Sequence, residues 1–391
     1  MTRRDWLRLT SLSAAGAVPL LRAGDAAAQS FKGDDQPVRI GYLPITDAAP
    51  LLIAHARGLF EAEGLKVEPP RLFRSWAQVV EAFVSGQVNV IHLLSPAALW
   101  VRYGAKFPAK IVAWNHVNGS ALTVQPQIRS VADLGGKTVA IPFWYSVHNV
   151  LLQQLLKQAG LKPVTRPREA PLRPDEVNLV VLAPAEMVSA LAGRSIAGFI
   201  VAEPFNALAE IAGIGRILRF SGDVWKDHAC CVTYLAERDL EQRPEWSQRV
   251  VDAIVKAQVW TRANQLEASK VLSATGEKHY TPHSVQALAK VLATTDYASY
   301  EASGVVHHPG WTQHRIDFQP YPFPSYTEEL LSLLKQTQVE GDARFLNELD
   351  PAFVARDLND VRFVRRAIER AGGPAQFGIA PDYLRKEVLA L

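Results

Sequence analysis

The chain has 391 residues, of which 48% are hydrophobic and 21% charged, and a formal charge of +3. This balance describes an ordinary globular protein and excludes a disordered chain or one integral to a membrane. Lys and Arg are scattered along the sequence, which excludes the clustered basic footprint of a nucleic-acid binder.

Residues 1–29 open with Arg3-Arg4, continue through a short, mildly apolar stretch from Leu9 to Leu21, and reach a small-residue site at Ala26-Ala27-Ala28. These are the parts of a removable secretory signal in their usual order, and the stretch is shorter than the roughly 20 apolar residues a membrane span needs. Thr2-Arg3-Arg4-Asp5-Trp6-Leu7 has the form of a twin-arginine signal, so the expected partner at this step is the twin-arginine export machinery and the cargo is a folded protein. No cysteine follows Ala28, so the expected product is soluble and periplasmic, without a lipid anchor. About 360 residues then remain, enough for two domains with cores of their own.

In chain order, VRIGYL before Pro44 reads as a strand, and LLIAHARGLFEAEG as a helix that Thr46 or Asp47 could cap. VEPPRLF is a second strand, SWAQVVEAFVSG a helix, VNVIHLL a third strand, and Ser95-Pro96 opens another helix. The alternation restarts after Asn118-Gly119-Ser120 with the strand ALTV, the short helix, turn and strand of SVADLGGKTVAIP, the amphipathic helix SVHNVLLQQLLKQAG capped by Ser146, then VNLVVL, PAEMVSALAGRSI and AGFIVAEP. Strand and helix in alternation predict mostly parallel sheets covered on both faces. Residues 37–120 with 229–391 are expected to form one lobe and residues 121–228 a second; beyond 228 the chain is mainly helical, most clearly in KAQVWTRANQLEASKVL.

Ligands of open α/β sheets bind beyond the carboxyl ends of the strands. The residues expected there are Tyr42, Thr46, Asp47, Ser75, Trp76, Ser95, Ser120, Trp144, Tyr145, Ser146 and Glu203, with His148 in the first turn of its helix as a further candidate. Hydroxyl groups and aromatic rings dominate, which suits a small polar ligand held by directed hydrogen bonds, and no nucleophile and base stand out. His92 reads as a core or pocket-floor residue, and His307, His308 and His314 as loop residues. The two cysteines, Cys230 and Cys231, are adjacent; such a pair closes only a strained ring and cannot alone supply four metal ligands. A structural role is expected for them, with no metal and no cofactor.

Several ordered blocks carry a family resemblance: GYLPITDAAPLLIAHARGLFEAEGL, RSWAQVVEAFVSGQVNVIHLLSP, NGSALTV, VLAPAEMVSALAGRSIAGFIVAEPFNA, SGDVWKDHACC and a late YPFPS. Together they resemble the nitrate and bicarbonate branch of ABC-transporter solute-binding proteins, a group that extends to sulfonate, taurine and thiamine-pyrimidine binders. The resemblance implies the two-lobed periplasmic-binding-protein fold of type II, with two mostly parallel sheets, a hinge of crossing strands and a C-terminal helical extension. It implies a monomer that closes on a small oxyanion or small organic anion and presents it to an ABC permease and its ATPase. It also implies that Trp76 contacts the ligand and that Lys226 faces it with a positive charge. Ser120 stands where nitrate-type binders carry an amide side chain, and Phe143-Trp144-Tyr145 is more aromatic than a nitrate pocket requires, so a larger organic anion is the alternative ligand. The competing functions are a thiamine-pyrimidine synthase, whose relatives carry a longer cysteine run, and a cytoplasmic nitrate sensor, which would not carry an export signal.

Overall fold

Two mixed sheets, joined by two crossing segments, organise the protein in the computed structural model, which describes residues 36–391 except 168, 294–296 and 313. The segment 1–29, read above as an export signal, lies outside the described residues. Among these, the first strands are β1 (Ile40–Tyr42), β2 (Arg71–Leu72), β3 (Val90–Leu94) and β4 (Ala109–Trp114). There follow β5 (Val117–Asn118), β6 (Ser120–Val124), β7 (Lys137–Ile141), β8 (Lys162–Val164), β9 (Glu176–Val181), β10 (Gly198–Ala202) and β11 (Arg216–Phe220). The last two are β12 (Cys231–Ala236) and β13 (Ile316–Asp317).

The first sheet has the order β2-β1-β3-β12-β4 and the second β11-β6-β10-β7-β9-β8. In the first, β1 pairs in parallel with β2 and β3, and β12 runs antiparallel between β3 and β4. In the second, β10, β7, β9 and β8 run in parallel, and β6 is antiparallel to both β10 and β11. The single reversed strand in each sheet is the one that arrives from the other sheet. After β4 the chain crosses through residues 115–119 into β6, and after β11 it returns through residues 221–230 into β12.

Most elements stand where the residue pattern puts them, and the departures have local causes. The strand expected over 67–73 shrinks to two residues because Pro69 and Pro70 have no N–H to donate to a ladder. The first helix stops at Ala56 and resumes at Leu59, because Gly58 adopts a left-handed φ of 64°. Neither Thr46 nor Asp47 caps α1 (Ala49–Ala56); both belong to a 3-10 turn that precedes it, and no side chain caps its N-terminus. The long helix read at 256–272 begins earlier, at Pro244, and breaks at Asn264 into Pro244–Ala263 and Gln265–Leu272.

The chain after β12 does more than cover the first sheet. Trp114 at the end of β4 packs edge-on against Phe323 and Tyr326, at 5.7 and 4.9 Å between ring centroids. Residues 338–342 reach α2 (Val147–Gln158) of the second lobe, where Asn149 and Gln153 donate to the Gln338 carbonyl and Trp144 donates to Glu340. Arg315, buried, holds Glu203 and Glu210 of the second lobe, each at 2.9 Å. The last residues return to the second crossing segment, where Lys226 donates its amide to Val388 and Ala390 donates to Val224.

Within the first crossing, Asn118 and Gly119 both have positive φ, 62° and 80°. A Cβ on Gly119 would stand 3.0 Å from the His116 ring and 3.1 Å from Ile316. Gly119→Ala therefore combines a strained backbone with overpacking, and should lower the unfolding free energy in urea by about 1–3 kcal/mol; an unchanged midpoint would show that the crossing tolerates a side chain.

Candidate functional site

The two crossing segments pair with each other. Asn118 donates to the His228 carbonyl at 2.8 Å, Asn115 donates to the Cys231 carbonyl at 3.0 Å, and Val117 bridges Ala229. This brings His116, His228, Cys230 and Cys231 to one place from stretches more than a hundred residues apart. The turn after β1 adds Asp47, β3 adds His92, α2 adds His148, and Trp76 begins the helix Trp76–Val84. All eight are buried. Two solvent hollows, of about 550 and 520 Å³, are lined by residues within 334–347 and by residues within 125–129, 191–194 and 213–214, and include none of them.

His116 Nε2 lies 2.9 Å from Asp47 Oδ2. Burial acts to lower the histidine pKa, but the Asp47 carboxylate overrides it and holds His116 at about 10. Burial pushes Asp47 up to about 6 against the pull of His116, so the pair is ionised at neutral pH. Cys230 Sγ stands 3.9 Å from Cys231 Sγ and 3.7 Å from His148 Nε2, which also meets Ser120 Oγ at 2.8 Å. Burial acts to raise Cys230, but the neighbouring Cys231 thiol and the His148 and His116 rings draw it well below an ordinary thiol; burial and the Cys230 sulfur drive Cys231 well above one.

His92 and His228 are different. Burial holds both at about 3, so each is neutral. His92 Nε2 accepts the Leu43 amide at 2.9 Å, which places the proton of the neutral ring on Nδ1. That Nδ1 has no acceptor, and neither does the indole Nε1 of Trp76, whose ring lies 5.2 Å away.

The other expected contacts divide. Thr46 latches the lobes, its amide and hydroxyl both donating to the Glu203 carbonyl, and Ser95 lines the site through Tyr326 and the Ala229 carbonyl. The remaining side chains have other work. Tyr42 donates its hydroxyl to Tyr280, and Ser75 and Ser146 cap the helices that follow them. Trp144 and Tyr145 turn away from the cleft toward Glu340 and Asp342, and Glu203 anchors Arg315. Lys226 corrects the expectation of a facing cation: its side chain is exposed, because the backbone there is bound to the C-terminal tail. The four-ligand objection to the cysteine pair also falls, since Asp47 and His116 stand beside it and all four donor atoms lie within 4.8 Å of one another. His116 and His228 carried no signal in the sequence beyond lying next to the crossing, and Arg315 carried none.

Residues 32–274 match the NMT1-like family model. The chain belongs to the NMT1-like family. A nitrate/nitrite binding protein, NrtA, of Nostoc sp. (strain PCC 7120) is 25% identical over 358 residues, covering 84% of this chain and 78% of its own. A nitrate import ATP-binding protein, NrtC, of Synechococcus elongatus is 32% identical over 237 residues, which span 56% of this chain and only 34% of that longer protein. Among solved structures, the periplasmic nitrate-binding protein NrtA from Synechocystis PCC 6803 superposes with a TM-score of 0.71 at 19% identity, covering 88% of this chain and 91% of that one. The periplasmic-binding-protein fold of this NMT1-like member is therefore that of its structural neighbours, and no helix among the described residues is long and apolar enough to cross a membrane.

A neutral histidine held at about 3 in the folded state, against about 6.5 unfolded, makes the folded protein bind fewer protons than the unfolded chain between those values. Its contribution to stability is complete above pH 6.5 and is lost as pH falls toward 3. In His92→Gln the loss of unfolding free energy between pH 7 and pH 5 should be smaller than in the wild type by about 2 kcal/mol. Equal losses in urea titrations at the two pH values would show that His92 is not held neutral.

Proposed function

We propose that the protein is the substrate-binding component of an ABC importer. It takes a small oxyanion between its lobes and offers the closed complex to a membrane permease driven by an ATPase. The observation that carries this reading is the pair of buried ring N–H donors without acceptors, Trp76 Nε1 and His92 Nδ1, whose rings lie 5.2 Å apart. A buried donor left unpaired costs about 1–3 kcal/mol, and an oxyanion accepting from both would offset that cost with charge-assisted hydrogen bonds. Because Lys226 lies outside, the grip rests on these neutral donors and neighbouring hydroxyls. The lobes meet around them through Thr46 and Glu203, so the ligand is complete in its contacts only when the cleft is shut.

The same reading favours the smaller ligands of this class. The aromatic segment that argued for a larger organic anion sends Trp144 and Tyr145 toward the C-terminal extension, and Ser120 is engaged by His148. With the argument for a larger organic anion gone, nitrate, nitrite or bicarbonate is favoured over sulfonates. The nitrate/nitrite-binding relative and the nitrate-import ATPase relative support the same branch and the same kind of partner. The signal-like segment 1–29 supports export by the twin-arginine route to the periplasm, and the role is binding without turnover by a monomer.

Thermal shift and calorimetry of the mature protein against nitrate, nitrite, bicarbonate, taurine and an alkanesulfonate test the reading. A ligand at 100 times its Kd should add about 2.7 kcal/mol of stability. Trp76→Phe keeps the ring and removes the N–H, and should weaken the binding at least tenfold with the fold intact. No shift with any of these anions would overturn the proposal, and an unchanged affinity in Trp76→Phe would remove that residue from the site.

A further inference from the structure

Four donors converge at the floor of the cleft from three separate stretches of chain: Asp47 from the turn after β1, His116 from the first crossing, and Cys230 and Cys231 from the second. Adjacent residues on a strand point to opposite faces. Cys230 precedes β12, where the chain is still crossing between the sheets, and this is how both sulfurs reach the same side at 3.9 Å. For a tetrahedral ion with bonds of about 2.3 Å to sulfur, two thiolate ligands stand about 3.8 Å apart. We propose that Cys230, Cys231, His116 and Asp47 form a closed tetrahedral site for a thiophilic divalent cation, of the zinc type, resident at the hinge.

An independent observation points to a ligand here. Asp47 Oδ1 is fully buried and meets no N–H or O–H donor; the side-chain partners of this carboxylate are the His116 ring and the Cys231 thiol, both members of the same donor set, although a buried carboxylate ordinarily collects several hydrogen bonds. A cation bound to Asp47 and His116 takes the place of the proton that now lies between them, and its charge satisfies the carboxylate. The donor set of two sulfurs, one imidazole and one carboxylate suits zinc and disfavours magnesium or calcium, which take oxygen alone. His148, from the second lobe, brings Nε2 to 3.7 Å from Cys230 Sγ and is itself held by Ser120. A hydrogen bond from this ring to a metal-bound thiolate is the kind of outer contact that tunes such sites. All four ligands belong to the first lobe and the crossings, so the ion stays bound when the cleft opens, and closure adds the His148 contact.

The site does not rest on the anion reading, and its test uses no anion ligand. Mature protein is reduced, stripped with a chelator and titrated anaerobically with Co²⁺ and Zn²⁺. The expected result is one equivalent of Co²⁺ bound with a sulfur-to-cobalt charge-transfer band and the intense visible bands of a tetrahedral ion, all displaced by Zn²⁺. Cys230→Ser and Cys231→Ser should each weaken Zn²⁺ binding at least 100-fold, and Asp47→Asn at least tenfold, with folding followed by near-ultraviolet circular dichroism. Trp76→Phe, which addresses the anion, should leave the cobalt spectrum unchanged. Should a cysteine variant fail to fold, the wild-type cobalt spectrum still decides. A weak octahedral spectrum without the sulfur band, no uptake by the wild type, or equal uptake by a folded double serine variant would overturn the proposal.

Discussion

The pairing of the two crossing segments is the constraint from which the rest of the molecule follows. Residues 115–119 and 228–231 hydrogen-bond to each other between the sheets, and β5 pairs again with β13 on the other side. A segment that leaves one sheet for another loses its ladder partners, and its buried N–H and C=O groups must be satisfied elsewhere. Here each crossing supplies the other's partners. The reversed strands β6 and β12, the position of the lobes and the convergence of His116 with Cys230 and Cys231 are all consequences of that exchange.

Closure is held by contacts well beyond the hinge. Thr46 meets Glu203 across the cleft, Arg315 binds two carboxylates of the second lobe, and the loop at 338–342 fastens onto α2. Arg315 and Glu203 are both buried, so separating them leaves two uncompensated charges, a cost of about 3–5 kcal/mol. Opening therefore requires that the Arg315 segment travel with one lobe, or that water enter as the lobes part. The C-terminal extension is part of this mechanism, because it belongs to the chain after the second crossing yet binds the second lobe.

The electrostatics where the crossings meet are set by which buried group has a charged neighbour. Asp47 and His116 hold each other ionised, Cys230 and Cys231 divide a low and a high thiol pKa between them, and His92 and His228 are kept neutral by burial. The neutral ring of His92 and the indole of Trp76 form a donor pair beside this charged group. A site that offers donors to an anion and a sulfur-rich set to a cation separates the two chemistries by side-chain type, within one buried region.

The alternation of strands and helices, and the return of that alternation after Gly119, were legible from periodicity and breakers, because each element buries a face that its own residues define. The same reading placed Trp76, Asp47, Ser120 and Ser95 near the ends of strands and His148 in the first turn of its helix, and the fold sets Ser120 against His148, Asp47 against His116 and Ser95 against the Ala229 carbonyl. Direction was not legible. Trp144, Tyr145 and Lys226 sit at the right ends of the right elements, but the C-terminal segments that take up the two rings and bind the backbone at Lys226 lie more than 150 residues away in sequence. Nor could adjacency in sequence show that Cys230 and Cys231 would gain Asp47 and His116 as neighbours, since that meeting depends on hydrogen bonds between two crossings over a hundred residues apart. Local pattern determined what each stretch becomes, and long-range pairing decided which side chains face each other.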